Sequence, residues 1–165
     1  MARDTLTALA ARLGARLKRR RLKLATAESC TGGWIAQAVT SVPGSSDWFE
    51  RGFVTYSNEA KKELLGVRGV ILTRHGAVSE EAARAMAAGA LARSRAQVAV
   101  AATGVAGPAG GTKKKPVGMV CIAWSREGTS PESVTRGFRG GRESVRRQSV
   151  IAALQGLLER LEETE

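Results

Sequence analysis

A serine followed by two glycines stands where a buried strand is predicted to pass into a helix. Residues 26–33 read TAESCTGG, so Ser29 and Cys30 lie at this junction. Backbone N–H groups at a helix N-terminus have no internal acceptor, and the helix dipole is positive there. Gly32 and Gly33 would also let a ligand approach the backbone closely. The segment therefore predicts either a nucleophile or an anion-binding site, with Ser29 as its central residue.

Ser29 needs a neighbouring base to become a nucleophile, and the chain offers few. The sole histidine, His75, precedes a predicted helix cap and is interpreted as a solvent-facing loop residue instead of part of a Ser-His-Asp set. A lysine can serve as the base when burial or nearby positive charge lowers its pKa. Lys61 lies one turn inside a predicted short helix, and Tyr56 lies just before the cap of that helix.

Spacing alone leaves two interpretations open for these residues. Tyr56 and Lys61 could face one pocket, or they could be a strand-end aromatic residue and an ordinary surface lysine. Cys30 is either a second candidate nucleophile, because the pKa of a thiol falls at a helix N-terminus, or a buried small residue.

A glycine-rich loop, TGVAGPAGG over residues 103–111, follows a continuous run of small apolar residues. Its glycine spacing is not that of a Rossmann or P-loop motif, and a strand instead of a helix is predicted after it. Thr103, Gly104 and the lysine run 113–115 could still bind an anion, although a plain turn is an equal alternative. Arg142 opens the last predicted helix and is either a bidentate ligand for phosphate or carboxylate or a surface residue.

The elements that would hold these residues follow from hydrophobic periodicity and from turn residues. Asp4 is a predicted N-cap of the first helix. Predicted helices cover residues 6–17, 32–42, 58–65, 80–95 and the segment from 142, and predicted strands cover 22–27, 49–56, 97–102, 117–124 and 133–138. The loop 103–116 is too short to contain a crossover helix. This order predicts a three-layer α/β/α sandwich with a mixed, mostly parallel sheet of about five strands.

Length and composition indicate a single domain over residues 1–165. The chain has 43% hydrophobic residues, which is enough for a continuous core, but no apolar run long enough to cross a membrane. The N-terminus also lacks the apolar segment of a secretory signal. Two cysteines make neither a disulfide framework nor a metal motif, so we expect a cytoplasmic protein.

The formal net charge of +11 raises nucleic acid, membrane surfaces and anionic small molecules as partners. Aromatic residues make up only 4% of the chain and do not interleave with the basic clusters, so no base-stacking platform is evident. Nucleic acid binding is therefore disfavoured, and a solvated basic face is the preferred interpretation of the charge.

Together these segments resemble the nicotinamide mononucleotide deamidase family, also called the CinA C-terminal domain family. The resemblance covers nearly the whole chain. It rests on TAESCTGG at 26–33, GSS at 44–46, FERGFVTYSNEAK at 49–61, HGAVS at 75–79, TGVAGP at 103–108, KPVG at 115–118, and Arg142 with RRQ at 146–148.

The resemblance implies hydrolysis of the carboxamide of nicotinamide mononucleotide to nicotinate mononucleotide and ammonia, with no metal or organic cofactor. Carried over by position, Ser29 is the nucleophile and Lys61 its general base, and Tyr56 assists proton transfer. Thr103 and Arg142 resemble the family's other functional positions, for substrate orientation or catalytic support. The residues themselves add Thr31, Gly32, Gly33 and Gly104 as predicted substrate-binding or supporting residues. A homo-oligomer with a nucleotide substrate and no membrane partner is expected.

The predicted chemistry is acyl transfer. Lys61, kept neutral by burial and by Arg142, accepts the Ser29 proton as the oxygen attacks the amide carbon. N–H groups of residues 31–33 stabilise the oxyanion, and Lys61 then protonates the departing ammonia. A water activated by the same amine hydrolyses the acyl-enzyme. The substrate phosphate is expected near the Thr103 loop and Arg142.

Two departures from the family pattern bear on substrate binding. Ala109 stands where many relatives have aspartate, and Lys113–Lys115 stand where relatives are often acidic or mixed. Longer family members carry a further N-terminal domain, and this chain begins at the first helix of the amidase region, so a stand-alone form is expected. The alternatives are a non-catalytic nucleotide or nucleic-acid binding module of the same fold, and an amidase for another small amide.

Overall fold

A computed structural model describes residues 5–163, so the predicted cap Asp4 lies outside the described residues. The helices are α1 Thr5–Arg19, α2 Trp34–Thr40, α3 Asn58–Leu65, α4 Gly69–His75, α5 Glu80–Ala92 and α6 Arg142–Glu162, with a 3-10 turn at Ser45–Asp47. The strands are β1 Leu24–Glu28, β2 Phe49–Val54, β3 Val98–Gly104, β4 Met119–Arg126 and β5 Glu132–Gly137.

The five strands form one mixed sheet in the order β2-β1-β3-β4-β5. β1 pairs in parallel with β2 and β3, whereas β4 pairs antiparallel with both β3 and β5. Four strands therefore run in one direction and β4 runs against them. The reversal occurs after the glycine-rich loop, as expected for a connection without a crossover helix. The predicted α/β fold with a mixed five-stranded sheet is confirmed.

Helices cover both faces of the sheet and create two hydrophobic cores. Successive side chains of β3 point to opposite faces. Val98 and Val100 accordingly pack in the core built with α1, α2 and α6, whereas Ala99 and Ala101 pack in the core built with α5. Burial on both faces explains why β3 is a continuous apolar run.

One helix was absent from the sequence-based prediction. α4 spans seven residues, buries only Leu72 among its side chains and has no side-chain N-cap, so periodicity and capping signals are both weak. The loop assignment of His75 is wrong, because His75 is the last residue of α4. Its imidazole is nevertheless half-exposed, with Nδ1 3.8 Å from a carboxylate oxygen of Glu81.

The carboxyl ends of the three parallel strands meet at one edge of the sheet. β1 ends at Glu28 and leads into Ser29, β2 leads into Tyr56, and β3 ends with Thr103 and Gly104. This edge is where open α/β sheets bind ligands. No helix within residues 5–163 is both long enough and apolar enough to cross a lipid bilayer.

Candidate active site

Ser29 and Lys61 are in direct contact in a buried position. Lys61 Nζ donates hydrogen bonds to Ser29 Oγ at 3.0 Å and to the carbonyl oxygen of Tyr56 at 3.1 Å. Lys61 is 1% exposed and Ser29 is 8% exposed. A hydroxyl and an amine at this distance can exchange a proton, so the pair has the geometry of a nucleophile and its base.

The local fold of α3 turns Lys61 inward. The sequence allows Ser57 or Asn58 as the cap of this helix, and the Ser57 side chain is the one that accepts a hydrogen bond from the Ala60 N–H. Lys61 and Leu65 are four residues apart, so they share one face of α3, and both are buried. The surface interpretation of Lys61 is therefore wrong.

Burial also sets the protonation of this lysine. Loss of hydration lowers the pKa of Lys61 from its usual 10.5, because the charged form is the one that water stabilises. Arg142 is not a cause of this shift, in contrast to the prediction from sequence. Its guanidinium donates to the Gly107 carbonyl at 2.8 Å and contacts the Tyr56 hydroxyl at 3.4 Å.

Glu28 occupies the helix N-terminus that the sequence predicts as an anion site. Its carboxylate accepts hydrogen bonds from the Thr31 hydroxyl at 2.7 Å, the Ile35 N–H at 2.6 Å and the Ala36 N–H at 3.1 Å. The carboxylate is 1% exposed, and burial raises its pKa against the opposing effect of these donors. Sequence reasoning missed this role, although an acidic residue in an otherwise apolar strand was a signal for it.

Most of the predicted oxyanion donors are therefore occupied. The Gly32 N–H donates to the Ser29 carbonyl at 3.1 Å, and the Gly33 N–H also contacts the Glu28 carboxylate. Both glycines have positive φ, 61° and 106°, which other residues adopt only with strain. We therefore reassign Gly32 and Gly33 from oxyanion binding to formation of the turn. Of the three predicted donors, Thr31 retains an N–H without an acceptor in residues 5–163.

Cys30 does not have the properties of an activated thiol. It is buried, and burial raises its pKa to about 11, with the Glu28 charge adding to the effect. Of the two interpretations that the sequence left open for Cys30, the structure favours the buried small residue, because burial outweighs the lowering of the pKa by Arg146 and Lys61. A protonated thiol is a poor nucleophile, so the geometry favours Ser29.

Tyr56 shares the pocket with Lys61, as one of the two open interpretations required. However, its contacts with the reacting pair come from its main chain: its carbonyl oxygen accepts from Lys61 Nζ and lies 3.4 Å from Ser29 Oγ. The phenol is on the other side, against Arg142, and the residue is 63% exposed. This arrangement does not support a direct role of the phenol in proton transfer.

We expect Tyr56→Phe to lower kcat by at most about 150-fold, because the backbone carbonyl that contacts Lys61 is retained and one hydrogen bond to a charged group contributes about 1.5–3 kcal/mol at most. Steady-state kinetics of the variant test this. A loss of kcat of about a thousandfold would show that the phenol carries a proton in the reaction. The Tyr56→Ala variant distinguishes the effect of losing the ring from the effect of losing the hydroxyl.

Ser29 and Lys61 lie in the wall of a cavity of about 200 Å³. Its lining comprises Ser29, Cys30, Tyr56, Asn58, Lys61, Ala77, Val78, Thr103, Gly104, Ala106 and Arg142. Pockets that enclose a drug-sized ligand measure roughly 300–1,000 Å³. The cavity therefore fits a group about the size of one aromatic ring, and the remainder of a larger ligand would lie outside it. A larger cavity of about 660 Å³ between β5 and α6 is lined by no hydroxyl, thiol or lysine side chain from the described residues.

The predicted anion-binding residues are only partly assembled. Thr103 and Gly104 line the cavity, but the Thr103 hydroxyl donates to the Ala77 carbonyl at 2.8 Å and is not a free donor. Lys113–Lys115 do not line it, and Lys115 Nζ instead donates to the His75 carbonyl. Arg142 remains the exposed cation at the rim. Within residues 5–163, no group of three or more His, Cys, Asp or Glu side chains is placed to hold a metal ion.

Comparison with known proteins gives consistent results. The family model described as CinA C-terminal domain matches residues 6–161. The nicotinamide-nucleotide amidohydrolase PncC of Pseudomonas putida is 56% identical over 156 residues, covering 94% of this chain and 97% of that protein. The PncC of Escherichia coli K12 is 50% identical over 159 residues, covering 95% of each chain. The solved structure of the competence/damage inducible protein CihA from Agrobacterium tumefaciens superposes with a TM-score of 0.92 at 44% identity, covering 98% of both chains.

Proposed function

The chain belongs to the CinA C-terminal domain family, and from that premise we propose that it is a nicotinamide-nucleotide amidase. It hydrolyses the carboxamide of nicotinamide mononucleotide and releases nicotinate mononucleotide and ammonia. The relatives named nicotinamide-nucleotide amidohydrolase match it at 50–56% identity over nearly their full length. The observation that carries the mechanism is the buried contact of 3.0 Å between Lys61 Nζ and Ser29 Oγ.

Acylation begins with neutral Lys61. Its lone pair accepts the Ser29 proton while Ser29 Oγ attacks the carboxamide carbon. The Tyr56 carbonyl orients the amine through its hydrogen bond to Nζ. The protonated lysine then transfers this proton to the leaving nitrogen, so that ammonia departs and an ester to Ser29 remains.

Deacylation repeats the same proton transfers with water. Lys61 accepts a proton from water, the hydroxide attacks the ester carbon, and the protonated lysine returns the proton to Ser29 Oγ. The negative oxygen that forms in acylation and in deacylation needs a hydrogen-bond donor. The Thr31 N–H is the one predicted donor without an acceptor among residues 5–163, but Thr31 is fully buried and does not line the cavity. Loss of one such donor in other enzymes lowers kcat by roughly a hundred- to a thousandfold.

The substrate's own charge assists the base. The nicotinamide ring of the mononucleotide is a pyridinium cation, and a positive charge in the cavity further disfavours a charged Lys61. The ring occupies the cavity of about 200 Å³, and the ribose phosphate extends past the rim toward Arg142. Thr103 and Gly104 shape the wall on the β3 side.

Ammonia release from nicotinamide mononucleotide, nicotinamide riboside and free nicotinamide tests this function. We expect the mononucleotide to have the highest kcat/KM, because only it brings both the pyridinium charge and the phosphate. Equal turnover of free nicotinamide would indicate an amidase for another small amide. Binding of the mononucleotide without ammonia release would indicate a binding module without catalysis.

The same proposal extends to the location, the domain organisation and the oligomeric state of the protein. A nucleotide substrate and two free, buried cysteines fit a cytoplasmic protein. We also propose that residues 1–165 act as one domain and that the protein is a homo-oligomer. Size-exclusion chromatography with light scattering measures the oligomeric state directly.

A further inference from the structure

Arg146 joins α6 to the turn that carries Ser29. Its Nε donates to the Cys30 carbonyl at 3.1 Å, and its Nη2 donates to the Thr31 carbonyl at 3.2 Å. The guanidinium also lies over the Trp34 ring, 5.6 Å from its centroid. The planar guanidinium of Arg146 therefore binds the carbonyls of two consecutive residues just after Ser29.

These contacts fix the direction of the neighbouring N–H groups. In a trans peptide the C=O and N–H bonds point in opposite directions. When Arg146 draws the Cys30 and Thr31 carbonyls toward α6, the N–H groups of Thr31 and Gly32 must point away from α6. The Gly32 N–H is used within the turn itself, where it donates to the Ser29 carbonyl at 3.1 Å.

Arg146 is separate from the reacting groups themselves. It does not line the cavity, and it does not contribute to the lowered pKa of Lys61. The Glu28 carboxylate accepts hydrogen bonds from donors of this turn, the Thr31 hydroxyl and the Gly33 N–H. Arg146 instead donates hydrogen bonds to the Cys30 and Thr31 carbonyls of the same turn. The turn is thus fixed from two directions by opposite charges.

We propose that Arg146 is a positioning residue for the amidase reaction, which holds the two peptide groups after Ser29 and thereby keeps Ser29 Oγ in place beside Lys61 for attack on the carboxamide carbon. The proposal rests on the proposed amidase function. It assigns Arg146 to the placement of the nucleophile and not to substrate affinity or to the base.

The test compares Arg146→Ala and Arg146→Lys with the unchanged protein on nicotinamide mononucleotide. A misplaced nucleophile affects the transition state more than the ground state, so we expect Arg146→Ala to lower kcat by about 10- to 100-fold. KM should change by less than about threefold, and the pH at which activity reaches half its maximum should not move. Arg146→Lys should recover part of kcat, since an ammonium can donate to these carbonyls without the fixed fork of arginine.

Arg160 provides a matched control on the same helix. It lies over Trp124 at 3.7 Å from the ring centroid and donates to the Gly156 carbonyl at 3.0 Å, so it resembles Arg146 in its contacts but does not reach the Ser29 turn. We expect Arg160→Ala to lower the melting temperature and leave kcat unchanged within about twofold.

Unchanged kcat in Arg146→Ala, or an equal loss of kcat in Arg160→Ala, would overturn the proposal. If Arg146→Ala does not fold, the Arg146→Lys variant becomes the test. A kcat of Arg146→Lys equal to that of the unchanged protein would then overturn the proposal. Loss of activity in Ser29→Ala with full activity in both Arg146 variants would refute this inference alone. Full activity in Ser29→Ala would instead refute the amidase mechanism on which it rests.

Discussion

Ser29→Ala lowers kcat for ammonia release from nicotinamide mononucleotide by about 10³- to 10⁶-fold, because no other activated nucleophile lines the cavity. The neighbouring thiol of Cys30 is protonated, with its pKa raised to about 11 by burial. KM changes little, since the hydroxyl acts in the chemical step and contributes little to substrate affinity. Steady-state ammonia release measures the effect.

The control for this variant is Ser130→Ala. Ser130 is exposed and does not line the cavity, so its removal should leave kcat unchanged within about twofold. Circular dichroism should show the same fold for both variants. Activity of Ser29→Ala within about tenfold of the unchanged protein would contradict a covalent mechanism at this residue.

Lys61→Met lowers kcat by about 10²- to 10⁴-fold, the range that a general base contributes, and at the same time stabilises the fold. Methionine matches the length of the lysine stem but removes the buried amine. Replacing a functional group in an unfavourable environment commonly adds about 0.5–2 kcal/mol to the free energy of unfolding. Kinetics and thermal unfolding of the same preparation test both parts.

Lys62→Met is the matched control for Lys61→Met. Lys62 is exposed and pairs with Glu59 at 3.2 Å, so its replacement should change neither kcat nor stability by much. Equal losses of activity in the two variants would show that charge in α3, and not a base at Lys61, is what matters.

The pH dependence follows from the direction of the Lys61 shift. Because its pKa in the folded protein is below 10.5, activity should fall as the pH drops through that lowered pKa and the amine becomes charged. The unfolded chain binds the proton below 10.5 more readily than the folded chain, so this lysine costs stability at neutral pH. The stability gained by Lys61→Met should therefore shrink as the pH rises toward 10.5. A gain that does not vary with pH would contradict a buried, ionisable Lys61.

Local signals in the sequence predicted the elements that carry the candidate site. The Ser57 cap and the terminating Gly66 define α3, and Lys61 and Leu65 lie one turn apart on its buried face. The continuous small-apolar run of β3 follows from burial on both faces. The glycine-rich loop after it implied the antiparallel β4, because the loop has no room for a crossover helix.

Features that depend on contacts between distant segments could not be read from local patterns. A helix N-terminus predicts free N–H donors, but whether a nearby carboxylate occupies them depends on where Glu28 points at the end of β1. The contact of Arg146 with the Cys30 carbonyl spans 116 positions in the chain. The use of the Tyr56 carbonyl instead of its phenol depends on backbone direction after β2, which residue type does not reveal.

The most direct test of the central claim is to identify the residue that becomes acylated. The enzyme is quenched with acid while it turns over saturating nicotinamide mononucleotide, and the peptide that contains residues 26–33 is mapped by mass spectrometry. The mechanism predicts the nicotinate mononucleotide acyl group as an ester on Ser29, and no adduct in Ser29→Ala. An acyl group on Cys30, or an unmodified peptide from enzyme that is actively releasing ammonia, would contradict it.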